Sequence, residues 1–178
     1  MEIIDFSLIL GKLKKLKRTG WIKHNIPFPE SVAEHSFRVA VLAMFLAPNL
    51  DADVNKSVKM ALLHDIGEAE VGDVITERGK KILNNLPSKL KKERNALKTI
   101  LSLINKQEYL ELFDEFEENK TKEAQLVKQL DKLEMAIQAY EYEKEHKINL
   151  EEFFENSETA IKNPYLKKIL SELEKSRK

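Results

Sequence analysis

The 178-residue chain has no cysteine, 5 glycines, 5 prolines, one tryptophan and only 7% aromatic residues. The missing thiols exclude disulfides, thiol nucleophiles, Cys-ligated zinc and Cys-ligated iron–sulfur clusters together. Neither sign of charge is in excess, since 30 Lys and Arg face 30 Asp and Glu. Coating nucleic acid needs a surplus of cations to displace counterions, so a small molecule or a protein is the expected partner and nucleic acid is not. Long apolar runs are missing too. The longest, Val39 to Ala47, is far too short to span a bilayer, so no membrane association is expected. Met1-Glu2-Ile3-Ile4-Asp5 carries acids where a secretory signal carries bases, which points to the cytoplasm. A chain of this length removes about 70% of its unfolded surface from water, so it needs no metal merely to fold. Any metal is expected to be functional.

With so little Gly and Pro, and no convincing apolar–polar alternation, the chain is predicted to be all-α. A first helix is expected from Ile3 to Lys17, with Phe6, Ile9, Leu10, Leu13 and Leu16 on one face. Thr19 to Glu30, holding Gly20, Pro27 and Pro29, is expected to be a loop. Ser31-Val32-Ala33-Glu34 is a capping box opening a helix to about Ala47, which Pro48 stops. Asp53 is placed to cap a third helix, Val54 to about Ile66, whose Met60-Ala61-Leu62-Leu63 stretch is apolar on every side, as at the centre of a bundle. Ser88 to Asn105 and Glu108 to Glu118 are further amphipathic helices. Thr121 is placed to cap a long helix to about Lys144, and Asn163-Pro164 opens a last one to about Glu174. With no repeat or low-complexity linker, one domain over residues 1–178 is expected.

The chemistry concentrates in Ala61-Leu62-Leu63-His64-Asp65-Ile66-Gly67-Glu68, where an imidazole and two carboxylates interrupt an oily helix. Unpaired burial of such groups costs several kcal/mol. Consecutive His64 and Asp65 lie about 100° apart around a helix, so both reach one ion only near its end, where Gly67 lets the backbone loosen. Glu68 follows Asp65 by three and His64 by four, on the same side. Alone, the pair reads first as a buried His–Asp hydrogen bond. His35 has Val32 three before and Val39 four after, so it points to the core side, as a satisfied core histidine also would. Asp131 lies between Val127 and Met135 on an apolar stripe and needs a partner. One cation held by His35, His64, Asp65 and Asp131 would satisfy all four, with nitrogen and oxygen donors that suit Mn²⁺, Fe²⁺, Co²⁺ or Zn²⁺.

A lone His, a His-Asp pair and a distant Asp on an all-α chain resemble the HD-domain metal-dependent phosphohydrolases. Leu16-Lys17-Arg18-Thr19-Gly20-Trp21, Pro29-Glu30-Ser31-Val32-Ala33-Glu34-His35, His64-Asp65-Ile66-Gly67-Glu68, Val71-Gly72-Asp73 and Val127-Lys128-Gln129-Leu130-Asp131-Lys132 look like successive blocks of the HD-domain 5′-deoxynucleotidase family. The resemblance implies an HD-domain helical bundle, with a motif-bearing core over about 16–142 and C-terminal helices completing it. It implies hydrolysis of 5′-deoxynucleoside monophosphates to deoxynucleoside and phosphate, with His35, His64, Asp65 and Asp131 ligating a divalent cation and Glu68 handling protons at the attacking water. Asp73 is implied near the leaving-group oxygen or the sugar, or, with Glu68 and the Val74 carbonyl, around a second, Mg²⁺ ion; its plainer role is to cap a loop. Arg18 can clamp phosphate and Trp21 can wall the nucleoside, against the plainer readings of a cation at a helix C-terminus and a core tryptophan. Arg38 would neutralise Glu34 or touch phosphate, and His24 and His146, in polar surroundings, are expected at the surface.

Two other readings compete: an HD-type hydrolase of a nucleoside triphosphate or cyclic nucleotide, and a nucleotide-binding module without turnover. The short loop between Arg18 and His35 and the full set of ligands disfavour them. The resemblance also implies a homodimer. Apolar residues around Leu101, Leu103, Ile104, Leu110 and Phe113 would face either its interface or the core.

Overall fold

Ten α-helices form among residues 2–73 and 86–177, the part of the chain described by the computed structural model. They are α1 (Glu2–Leu13), α2 (Thr19–Lys23), α3 (Val32–Leu46), α4 (Val54–Leu63), α5 (Glu68–Val71), α6 (Leu86–Ser102), α7 (Leu110–Glu118), α8 (Lys122–His146), α9 (Glu151–Ala160) and α10 (Pro164–Arg177). The chain is all-α: the single extended pairing among the described residues is an antiparallel bridge between Lys17 and Ser31. None of these helices is long and apolar enough to cross a membrane.

Caps anticipated from residue type set several helix starts. Ser31 Oγ accepts from the Glu34 amide at 3.2 Å while Glu34 Oε2 accepts from the Ser31 amide at 2.6 Å, so two donors at the start of α3 are satisfied reciprocally. Asp53 caps α4, Thr121 caps α8, and Asn163 Oδ1 accepts from the Tyr165 and Leu166 amides at the start of α10. Such caps are worth about 1 kcal/mol each.

The elements differ from expectation where tertiary pairing overrides local pattern. α1 stops at Leu13 rather than Lys17, because the Val32 amide donates to Leu16 O at 2.9 Å and the Arg18 amide to Glu30 O at 3.1 Å, drawing residues 16–18 out alongside 30–32. The expected loop 19–30 contains the short α2. α9 was not anticipated; it buries Phe153, Phe154 and Ser157 against α8 and α10.

α8 is the central element, packing on α3, α4, α7, α9 and α10. It buries side chains on several faces, among them Leu126, Val127, Leu130, Leu133, Ala136 and Ala139. α4 is more open than its sequence suggests: Met60 and Ala61 are buried, but Leu62 is 48% exposed. Leu101, Leu110 and Phe113 join Leu63 and Leu97 in a second apolar cluster between α4, α6 and α7, so these three face the core rather than a dimer interface.

Candidate active site

Three helices and one turn deliver the site. His35 lies in the first turns of α3, held by the Ser31–Glu34 box. α4 ends at Leu63, and the chain tightens into i→i+3 bonds, Ile66 N to Leu63 O at 3.1 Å and Glu68 N to Asp65 O at 3.0 Å. That tightening lets consecutive His64 and Asp65 approach one point, which a continuing α-helix would forbid. Gly67 serves here differently from expected. Its φ of −58° is ordinary, but a Cβ would lie 2.6 Å from Glu93 O, so glycine is required by the close approach of α6 and not by backbone freedom. Asp131 comes from the middle of α8.

The donor atoms of His35, His64 and Asp131 lie within 4.8 Å of one another, a group that could hold a metal ion. Asp65 Oδ2 lies 3.2 Å from His64 Nε2 and 3.9 Å from His35 Nε2. Both imidazoles are buried and oriented from the far side. His35 Nδ1 donates to Glu134 Oε2 at 2.5 Å, and His64 Nδ1 to Ala61 O at 2.7 Å. With the proton on Nδ1, each Nε2 presents a lone pair to the shared point. Both Nε2 atoms are buried without a hydrogen-bond partner, although Asp131 Oδ1 is 3.2 Å from that of His35. Buried polar atoms seldom go unsatisfied, so this donor set fits a divalent cation.

The electrostatics agree. Four carboxylates, Asp65, Glu68, Asp73 and Asp131, surround one guanidinium, that of Arg18. Arg18 Nη1 donates to Asp65 Oδ2 at 3.0 Å and sits 3.6 Å from Asp73; Nη2 sits 3.9 Å from Asp131. Burial and Arg18 oppose a charge on His35, yet Glu134 and Asp131 push its pKa up to about 10. The field that favours a proton on His35 favours any cation there. Burial opposes ionisation of Asp65, but His64 and Arg18 hold it well below the usual carboxylate range. Glu68 behaves oppositely: burial, then the charges of Asp65 and Asp73, push it up to about 10.

The remaining candidates divide. Arg18 is not at a helix C-terminus; it immediately precedes α2, held beside Glu30 by the pairing of residues 16–18 with 30–32. Asp73 Oδ2 accepts from the Thr19 amide at 2.5 Å, so it caps α2 and brings Arg18 to the site's edge. A second group of converging donors joins Glu30, His35 and Glu134; Asp65, Glu68 and Asp73 fall in neither group among the described residues, and Val74 lies outside those residues. Trp21 requires correction as a nucleoside wall. It is 2% exposed, stacks on Phe153 at 4.3 Å, meets Tyr142 edge-on and donates from Nε1 to Glu30 Oε1 at 2.8 Å, leaving no face for a ligand.

Arg38 ignores Glu34 and reaches across to Glu134, Gln138 and Glu141 of α8. His24 and His146 are half-buried, the first on Glu152 and the second stacked on Tyr142. Glu30 and Glu134 were not anticipated. Burial and Glu134 push Glu30 up to about 7. The signal for Glu134 is its place one turn after Asp131, with Leu130 four before and Ile137 three after.

An all-helical chain that gathers a lone histidine, a His-Asp pair and a distant aspartate at one buried point has the architecture of an HD domain. The family model described as HD domain matches residues 10–174. A 5′-deoxynucleotidase of Dictyostelium discoideum is 40% identical, with 98% of each chain covered, and a human 5′-deoxynucleotidase is 38% identical over 99% of this chain and 86% of that one. A solved conserved hypothetical protein from Pyrococcus furiosus superposes with a TM-score of 0.81 at 42% identity, covering 97% of this chain and 99% of that one. The chain belongs to the HD-domain 5′-deoxynucleotidase family.

Proposed function

We propose that this protein is a metal-dependent phosphomonoesterase that converts 5′-deoxynucleoside monophosphates into deoxynucleoside and inorganic phosphate. The observation that carries the reading is the pair of buried, unpartnered Nε2 atoms facing Asp65 and Asp131. The substrate class follows from the relatives named 5′-deoxynucleotidase. His35, His64, Asp65 and Asp131 hold one divalent cation, Mn²⁺, Fe²⁺, Co²⁺ or Zn²⁺. When bound, such an ion lowers the pKa of water and neutralises charge on phosphoryl oxygens.

The chain's own groups do the rest. Water oxygen forms the new bond to phosphorus, the P–O5′ bond breaks, and the proton that water loses must reach O5′. In its ionised form, which the positive charge of a bound cation would favour against burial, Asp65 and Asp73, Glu68 takes that proton and returns it to the leaving oxygen. Arg18, carrying a permanent charge beside Asp65 and Asp73, offers a planar fork to the phosphate. Asp73, held by Thr19, faces the leaving oxygen or the sugar; with Glu68 it is also the place where a Mg²⁺ ion would sit if a second one binds. The protein acts as a homodimer, for which Phe37, Met44 and Phe45 form an exposed apolar stripe along α3.

The test is phosphate release from dAMP, AMP, dATP and cyclic AMP in a screen of divalent metals. The expected outcome is cleavage of dAMP, with AMP slower by up to about 10²-fold, the limit for rejecting one added hydroxyl in an apolar pocket. Preferential turnover of the triphosphate or cyclic nucleotide would replace the monophosphate reading, and binding without turnover would reduce the protein to a binding module. Light scattering of the wild type and Phe45→Glu tests the dimer, which the substitution should dissociate.

A further inference from the structure

We infer that Glu134 is a positioning residue for His35: it fixes the proton on Nδ1 and the rotation of the ring, and so aims Nε2 at the metal, while Arg38 fixes Glu134. The inference rests on the metal-centre reading above. It begins with register. Asp131 and Glu134 are three apart on α8 and therefore share a face, so one helical turn carries both a donor to the site and the support for another donor. His35 and Glu134 are both 0% exposed, and Glu134 Oε2 accepts from His35 Nδ1 at 2.5 Å. Nδ1–H donates and a carboxylate oxygen accepts, so this contact assigns the hydrogen to Nδ1.

The other oxygen of Glu134 is paired by charge and not by a hydrogen bond. Arg38 Nε lies 3.0 Å from Oε1, and the rest of that guanidinium is occupied by Gln138 and Glu141 one and two turns further along α8. Rotating the carboxylate away from the imidazole would therefore also break its ion pair with Arg38. Glu30, one of whose oxygens approaches the same imidazole, takes the Trp21 indole hydrogen on Oε1, while its Oε2 has no hydrogen-bond partner. The two histidines differ in a useful way. The Nδ1 of His64 is tied to a backbone carbonyl, which no substitution removes, whereas the Nδ1 of His35 is tied to a side chain. Outer partners of this kind commonly set metal affinity as well as ring orientation.

The experiment compares wild type, Glu134→Ala, Glu134→Gln, His35→Ala and, as a buried control remote in the fold, Leu166→Ala. The readouts are Co²⁺ affinity by chelator competition, the visible absorption spectrum of the Co²⁺ form, and circular dichroism for fold and Tm. Glu134→Ala should weaken Co²⁺ binding by roughly 10- to 100-fold with helicity retained. Glu134→Gln keeps an acceptor oxygen for Nδ1–H and should lose less, while shifting the Co²⁺ spectrum. Leu166→Ala should lower Tm and leave both affinity and spectrum unchanged. Affinity and spectrum unaltered in both Glu134 variants, with His35→Ala losing the metal, would overturn the positioning role and leave the centre standing; if Glu134→Ala does not fold, an unaltered Glu134→Gln overturns it alone. Equal weakening in Leu166→Ala would show that affinity merely follows stability, which also overturns it. A wild type that binds no Co²⁺, Zn²⁺ or Mn²⁺ would remove the centre itself.

Discussion

The Arg177 cluster and the histidine–aspartate centre contain the same kinds of groups and behave in opposite ways. On α8 to α10, Arg177 donates to both oxygens of Glu143 at 2.8 and 2.9 Å and to Glu151 at 2.8 Å, with its guanidinium 3.7 Å from the Phe154 ring. Glu143 also accepts from the Leu150 amide, so each charge in that cluster has its complement within the chain. In the centre, Nε2 of His35 and of His64 has no hydrogen-bond partner, and Glu68 keeps one oxygen without one. What distinguishes the centre is therefore not density of polar groups but two unsatisfied imidazole nitrogens that converge with a carboxylate on one point. The first cluster closes three helices at the end of the chain; the second presents donors that a cation would satisfy.

The strongest way to break that contrast is to remove a donor. His64→Ala and Asp131→Ala should each lose the metal and the phosphatase activity together, measured by elemental analysis and dAMP turnover; full activity after exhaustive chelation would contradict the centre. Next comes Trp21, which acts through the core. Trp21→Ala should destabilise the protein by roughly 3–5 kcal/mol in denaturant melts. Trp21→Phe should leave the dAMP-to-AMP ratio of kcat/KM unchanged, and an altered ratio would return Trp21 to the nucleoside. Glu68→Gln should lower kcat by roughly 10² or more, about 2.7 kcal/mol of barrier, with metal content unchanged.

The paired cluster should respond weakly and only in stability. Arg177→Ala should cost about 1 kcal/mol and lower Tm by roughly 2–4 °C, leaving dAMP turnover within error. The smallest effect is in pH. Burial works against the charge of Glu143, but Arg177 and the Leu150 amide hold its pKa below the ordinary glutamate value. A carboxylate depressed in the folded state contributes stability that is fully present above its unfolded pKa, about 4.3, and is lost as pH falls through the lower folded value. Between pH 6 and pH 3 the Tm of wild type should therefore fall more steeply than that of Arg177→Ala; parallel curves would dissolve the pair.

The contrast also explains what could be read without coordinates. His35, His64, Asp65 and Asp131 were legible because each interrupts an apolar pattern, and a polar group on an apolar stripe needs a reason. Glu134 was hidden by its company: α8 also carries Glu123, Glu141, Glu143 and Glu145, and helical period alone does not tell an inward acid from an outward one. Trp21, three residues after Arg18, was read as a ligand-facing ring, but the segment folds as the short α2, which turns the indole into the core, and Phe153 of the unanticipated α9 covers it. α9 itself escaped because Leu150 caps nothing with its side chain and the start signal is missing. Gly67 shows the same limit, for close approach to Glu93 depends on a helix remote in sequence.

Asp131 lies on α8, long after His35, His64 and Asp65 in the order of synthesis. At about 5–20 residues per second, roughly 3 to 13 s separate the making of Asp65 from that of Asp131. During that interval the nascent polypeptide carries three would-be ligands and neither the fourth nor Glu134, the support of the first. Such an incomplete trio cannot hold an ion with the affinity of the finished bundle. On the proposed ligand set, metal choice would thus be postponed until translation has passed α8, when the cell's free-metal levels would meet a folded competitor instead of a growing chain.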